Sequence, residues 1–191
     1  MEEKSISEIQ IDTEFTPNPH SLKFNINREL IEKGTAFFAA REEAKGSPLA
    51  EKLFEVPSVD KILISRDFVT VTRDPSVETW SRIIPAVTHV LQEHCQSGQP
   101  AVASKAGAAA PSKGVETEIE KKIKQILDEK VRPAVAQDGG DIIFHSFREG
   151  VVRLHLQGSC SSCPSSTATL KAGIERLLCE MIPEVKEVVQ V

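Results

Sequence analysis

Two cysteines three positions apart, Cys160 and Cys163, lie in the stretch Gly158-Ser159-Cys160-Ser161-Ser162-Cys163-Pro164-Ser165-Ser166-Thr167. Such a pair supports two kinds of chemistry: its thiolates ligate a metal, or one thiolate attacks sulfur and the other resolves the product. Iron–sulfur clusters are commonly held by four thiolates, and zinc also accepts four. The remaining cysteines, Cys95 and Cys179, form no second Cys-x-x-Cys. A full thiolate site therefore needs a second copy of the chain, in a symmetric dimer with one pair from each subunit. A site shared at an interface near the surface loads and empties more readily than a buried one, which suits a carrier. Two other active readings compete. A thioredoxin-like dithiol fits a pair at a helix start, but a hairpin stands where a βαβ sheet is expected and no aromatic precedes Cys160. A single-chain zinc site would recruit His155, which falls on the polar alternation of its strand. The plainest alternative is two small thiols packed in a turn, since Gly158 and the Ser/Thr run serve equally as turn and cap residues.

The flanking residues specify the elements that hold this pair. Val151-Val152-Arg153-Leu154-His155-Leu156 alternates as a strand, and Leu170, Ile174, Leu177, Leu178 and Met181 recur at helical spacing. The thiols thus fall on a strand-to-helix turn, with Pro164 suited to the helix's first position. Unpaired amides and the macrodipole at a helix N-terminus favour the thiolate form.

Upstream, Thr117-Glu118-Ile119-Glu120 has capping-box form, and Ile119, Ile123, Ile126, Leu127 and Val131 form an apolar helical face that Pro133 stops or bends. Asp138-Gly139-Gly140-Asp141 reads as a turn rather than a calcium or catalytic site. Ile142–Phe147 and Val151–Leu156 then make a hairpin around Arg148-Glu149-Gly150, and a last strand carries Val185, Val188, Val189 and Val191. The order from residue 115 to 191 is α-β-β-α-β. Residues 1–96 read as a separate unit. Leu22, Phe24 and Ile26 alternate with Lys23, Asn25 and Asn27 as a half-buried strand after the breaker cluster Thr16-Pro17-Asn18-Pro19-His20. Ser47 caps a short helix with Pro48 in its first turn, and Val59–Thr72 reads as a hairpin. A longer helix opens at Asp74-Pro75, presents Trp80, Ile83, Ile84, Val87, Val90 and Leu91 on one face, and is kinked by Pro85. Residues 97–114, rich in Ala, Gly, Pro and Ser, read as a flexible linker. The fold class is α+β: two small α+β domains joined by that linker.

Composition narrows the function. A net charge of −5, 5% aromatic residues and no tyrosine argue against nucleic acid as a partner. No apolar run approaches the roughly 20 residues that span a bilayer, which argues against membrane insertion. The start, Met1–Glu8, is acidic, with neither an apolar signal core nor an Arg-rich presequence, so a cytoplasmic location is expected. Four cysteines make no disulfide framework here. No paired carboxylates, Gly-rich phosphate loop or Ser/His/Asp set appears, so no catalytic residue is assigned. Cys95, beside His94, and Cys179 read as structural, and His20, His89 and His145 as isolated histidines.

The stretch Val131-Arg132-Pro133-Ala134-Val135-Ala136-Gln137-Asp138-Gly139-Gly140-Asp141, with Leu156-Gln157-Gly158-Ser159-Cys160-Ser161-Ser162-Cys163-Pro164, resembles the C-terminal domain of NifU, the Nfu domain. Phe15–Phe24 and Ser47–Phe54 through Asp67–Thr72 resemble the Nfu N-terminal domain. The family commonly carries Asn where His20 stands. The resemblance implies a non-enzymatic iron–sulfur cluster scaffold or carrier. In it, Cys160 and Cys163 of each of two subunits bind one [4Fe–4S] cluster, giving a homodimer when loaded. Its partners would be apo iron–sulfur proteins as recipients and an upstream cluster-assembly scaffold as donor. The first domain would recognise partners or orient delivery while the linker lets the cluster domain swing. NifU's further cysteine-rich domains have no counterpart here, which favours transfer over primary assembly.

Overall fold

Alternating apolar residues between positions 11 and 73 build a single sheet. The computed structural model describes residues 8–102, 117–161 and 164–191. Strands β1 (Ile11–Phe15), β2 (Ser21–Ile26), β3 (Ala36–Phe38), β4 (Val59–Ile64) and β5 (Phe68–Arg73) pair antiparallel in the order β1-β2-β5-β4-β3. Helices α1 (Pro48–Leu53) and α2 (Ile83–Ser97) close one face. Their Leu49, Leu53, Val87 and Leu91 meet Leu22, Phe24, Ile62, Ile64, Val69 and Val71 in the first core. The cap of α1 is the expected one: the Ala50 amide donates to Ser47 Oγ at 3.2 Å, with Pro48 opening the helix.

Three local features differ from the sequence reading. The edge strand β3 was not expected, because three residues are too few to show a period; its Phe38 is fully buried. Helix α2 begins at Ile83 rather than at Asp74. Asp74 instead accepts from the Ser76 amide and hydroxyl at 2.8 and 2.6 Å, and that turn consumes the residues that resembled a helix start. Pro85 consequently sits in the helix's first turn, where no backbone donor is required and no kink results. Finally, Ala101, read as linker, is buried in the first core, and its carbonyl accepts from Ser47 Oγ at 2.6 Å. Residues 103–114 of that stretch lie outside the described residues.

In the second unit the Thr117–Glu120 capping box forms in both directions at the start of α3 (Glu118–Ile126). The chain then widens into a π turn (Leu127–Val131) and continues as α4 (Arg132–Gln137). Pro133 is accommodated at the second position of α4, after the register change, so it bends the helical path without ending it. Strands β6 (Gly140–Arg148) and β7 (Val151–Gly158) form the expected hairpin, and β8 (Glu187–Gln190) runs parallel to β7. Parallel neighbours need a crossover, and α5 (Pro164–Met181) supplies it. Ile123, Leu127, Val135, Ile142, Leu154, Leu156, Ile174 and Leu178 fill this second, separate core. No helix among the described residues is long and apolar enough to cross a membrane.

His94 lies in α2 and is buried, and burial, then the nearby Lys52 charge, hold its imidazole below the ordinary value. The unfolded chain therefore takes up a proton before the folded one as pH falls below about 6.5. Stability is full above that pH and declines below it, by at most about 1.4 kcal/mol per pH unit for one proton. His94→Gln is expected to flatten this decline in denaturation midpoints measured across the acidic range, using the fluorescence of the single Trp80.

Candidate functional site

Cys160 lies on a short 3-10 turn (Ser159–Ser161) between β7 and α5, the strand-to-helix position expected from sequence, and α5 opens at Pro164. Cys163 lies outside the described residues. The turn is tied to the end of α4. The Ser159 amide donates to the Gly139 carbonyl at 3.2 Å, and the Ser159 hydroxyl donates to the Asp138 carbonyl. Ser161 Oγ closes the turn from the other side, donating to the Gly158 carbonyl at 2.8 Å.

The glycines explain how these segments come so close. Gly140 pairs with Gly158 across β6 and β7. A methyl group at Gly140 would stand 2.7 Å from Cys160 Sγ and 2.9 Å from the Gln157 carbonyl oxygen. Gly158, at φ +66°, would bring one to 2.6 Å from the Gly139 carbonyl oxygen. The Asp138–Asp141 turn, taken from sequence as a connection only, is thus the wall against which the Cys160 thiol rests. Asp141 beside it is nearly buried and pairs with Arg132 Nε at 3.2 Å, while Arg132 also reaches Asp128 at 3.1 Å.

The first domain contributes to the same site. Asn18 Nδ2 donates to the Ser159 carbonyl at 2.9 Å, and Lys23 Nζ donates to the Gln137 carbonyl at 3.3 Å. Thr35 Oγ1 donates to Asp141 Oδ2 at 2.5 Å. Sequence reasoning missed all three, and Lys23, expected on a solvated strand face, is only 8% exposed. Asn18 and Ser159 are 141 positions apart, and no local pattern joins them. The only signal was the rigidity of the Thr16–His20 turn. There the His20 amide donates to Asn18 Oδ1 at 3.0 Å and orients the side-chain amide.

The other candidate residues do not converge on this turn. His155 is exposed, and its Nδ1 lies 2.7 Å from the Val191 carbonyl at the chain's end. Cys95 sits on α2 in the first domain, where burial raises its thiol above the ordinary value and the Arg28 charge only partly offsets this. Cys179 packs against the second core. Among the described residues no three His, Cys, Asp or Glu side chains are placed to hold a metal ion together.

The energetics of the domain contact are finely balanced. Each interdomain hydrogen bond contributes about 0.5–1.5 kcal/mol net, whereas a buried oxygen without a partner costs about 1–3 kcal/mol. Thr70 Oγ1 and Gln157 Oε1 are two such oxygens among the described residues. Leu63, fully buried and outside both cores, meets Gly158 of the second domain and adds apolar burial to the contact.

Comparison with known proteins places this geometry in a lineage. A NifU-like domain matches residues 123–189, and the N-terminal domain of the scaffold protein Nfu/NifU matches residues 11–98. The chain belongs to the Nfu family of NifU-like proteins. A human relative, "NFU1 iron-sulfur cluster scaffold homolog, mitochondrial", is 40% identical over 95% of this chain and 71% of its own length. The Drosophila persimilis protein of the same description is 43% identical over 95% of this chain and 64% of its own length. "NifU-like protein 4, mitochondrial" of Arabidopsis thaliana is 40% identical over 94% of this chain and 65% of its own length. This Nfu chain therefore spans about two thirds of the length of these relatives. Among solved structures, the solution structure of a NifU-like protein from Saccharomyces cerevisiae is similar over 55% of this chain and 93% of its own. Its TM-score is 0.48 at 25% identity.

Gly140→Ala places a methyl group where the Cys160 sulfur and the Gln157 carbonyl now stand. It is expected to lower the stability of the second domain by about 1–3 kcal/mol, as overpacking does. Urea denaturation followed by circular dichroism measures this. An unchanged midpoint would show that the turn has room the present geometry denies.

Proposed function

We propose that this Nfu protein is a non-enzymatic carrier of iron–sulfur clusters. Cys160 and Cys163 from each of two subunits bind one [4Fe–4S] cluster as cargo and pass it to apo-proteins. The observation that carries this reading is the Cys160 turn: a thiol at a strand-to-helix junction, on a turn whose close approach to the start of β6 requires Gly140 and Gly158. The names of the relatives, iron–sulfur cluster scaffold homologs, support the same reading. One chain supplies two thiolates at ligand spacing and a cuboidal cluster takes four, so the loaded form is a dimer.

Transfer is ligand exchange. A recipient thiol loses its proton and bonds iron, and a Cys160 or Cys163 thiolate leaves that iron and is protonated, so the cluster changes neither charge state nor composition. The donor is an upstream assembly scaffold and the recipients are apo iron–sulfur proteins. Net charge and sparse aromatics favour protein partners over nucleic acid. Residues 115–191 form the cluster-binding domain, residues up to 102 the domain that orients delivery, and the stretch between them joins the two. The chemistry requires a compartment that keeps thiols reduced. The relatives' printed names call them mitochondrial.

Reconstitution with iron and sulfide under anaerobic conditions tests the reading. It expects about two irons per chain, visible sulfur-to-iron absorption and a dimer mass. The Cys160→Ser, Cys163→Ser double variant is expected to lose all three. Full iron content in that variant would remove the ligand assignment. A colourless monomer that reduces disulfides would replace the carrier by a thiol–disulfide oxidoreductase.

A further inference from the structure

An antiparallel sheet covered by helices on one side commonly leaves its other face to water. The first domain's sheet does not. Lys23, Thr70 and Thr72 alternate with the core residues of β2 and β5 and so point away from α1 and α2, yet each is at most 8% exposed. Leu63, on the same outer face of β4, is completely buried. The covering surface is the segment of the second domain that carries Cys160. A methyl group at Gly139 would stand 2.9 Å from Thr70 Oγ1 and 3.4 Å from Lys23 Cβ, and one at Gly158 would stand 2.7 Å from Leu63 Cδ2. Interdomain hydrogen bonds among the described residues end on Gln137, Asp141 and Ser159, within the two segments that flank the thiol.

We propose that the outer face of the first domain's sheet is a docking surface for the Cys160 turn of its own chain. Its occupation keeps Cys160 covered in the metal-free monomer. The fit is selective. It needs backbone at Gly139 and Gly158 close enough to meet β4 and β5 without intervening side chains. It also needs the Ser159 carbonyl presented to an Asn18 amide that is fixed in its own turn. The fit is also releasable, because polar contacts predominate and Thr70 Oγ1 and Gln157 Oε1 remain unpaired among the described residues. Cys160, at 4% exposure, packs into the second domain's core, and the backbone that flanks it at Gly139 and Gly158 lies against the sheet, so a second subunit would reach the thiol only once the sheet withdraws from this turn. Docking and the four-thiolate dimer therefore exclude each other. This consequence rests on the carrier reading, whereas docking itself does not.

The test uses the full-length, metal-free chain, with iodoacetamide as probe and peptide mass spectrometry to follow Cys160 alone. Thr70→Glu places a charge on the covered face and leaves the first core untouched, since Val69 and Val71 point the other way. It is expected to alkylate Cys160 about tenfold faster or more than the parent, as loss of a local closed state does. The radius of gyration by small-angle scattering is expected to rise with it. Thr35→Val removes only the bond to Asp141 and is expected to give a smaller acceleration in the same direction. It decides the matter should Thr70→Glu lose its cooperative Trp80 unfolding transition. Equal Cys160 rates in the parent and in the folded variants would overturn the docking surface. No iron enters these measurements. Accelerated alkylation in a chain that binds no cluster would leave docking standing and remove the carrier reading, and the reverse pattern would do the opposite.

Discussion

The end of α4, the turn into β6 and the exit of β7 can come together only because no side chain stands between them. Gly139 and Gly158 both have positive φ, a backbone region that L side chains rarely adopt. Gly140 faces Gly158 across the ladder at the spot where the Cys160 sulfur needs space. The rest follows from that approach. The 3-10 turn is held by carbonyls of residues 138, 139 and 158, α5 starts at a fixed place, and its return strand β8 completes the sheet. The first domain can then lay a flat sheet face over the same backbone, which a single β-carbon would hold away.

The described thiols separate by environment. Burial raises the Cys95 thiol above its ordinary value, and Cys179, partly buried, packs against the second core. Cys160 is itself a buried member of the second core; what distinguishes it is its place on a turn, beside the Ser159 hydroxyl and just before an 18-residue helix. A helix N-terminus favours negative charge nearby, and a metal-ligating cysteine binds as thiolate.

The two domains differ in how they are held together and how they are held to each other. Within each, a continuous apolar core of aliphatic and aromatic residues supplies the stability. Between them, amide, hydroxyl and ammonium groups meet backbone carbonyls and one carboxylate. A polar contact of this kind gives orientation at little net gain, because each group gives up water in exchange for its new partner.

Much of the architecture was legible in the residues themselves. The 3.6-residue and two-residue periods placed α3, α5, β2 and the two hairpins. Capping chemistry placed the starts of α1 and α3, and the proline after the Cys-x-x-Cys marked the entrance of α5. These features arise from interactions between near neighbours in the chain, which a local pattern records. Edge strand β3 and the true start of α2 escaped because a three-residue strand shows no period and an Asx-type turn at Asp74 imitates a helix cap. Position by position, the alternation in β2 made Lys23 look solvated, and the Thr16–His20 turn looked merely rigid. Only the tertiary structure buried Lys23 and aimed Asn18 at the Ser159 carbonyl. The partners of such contacts lie more than a hundred positions away, and the polar residue types that make them are the same types that would otherwise face water.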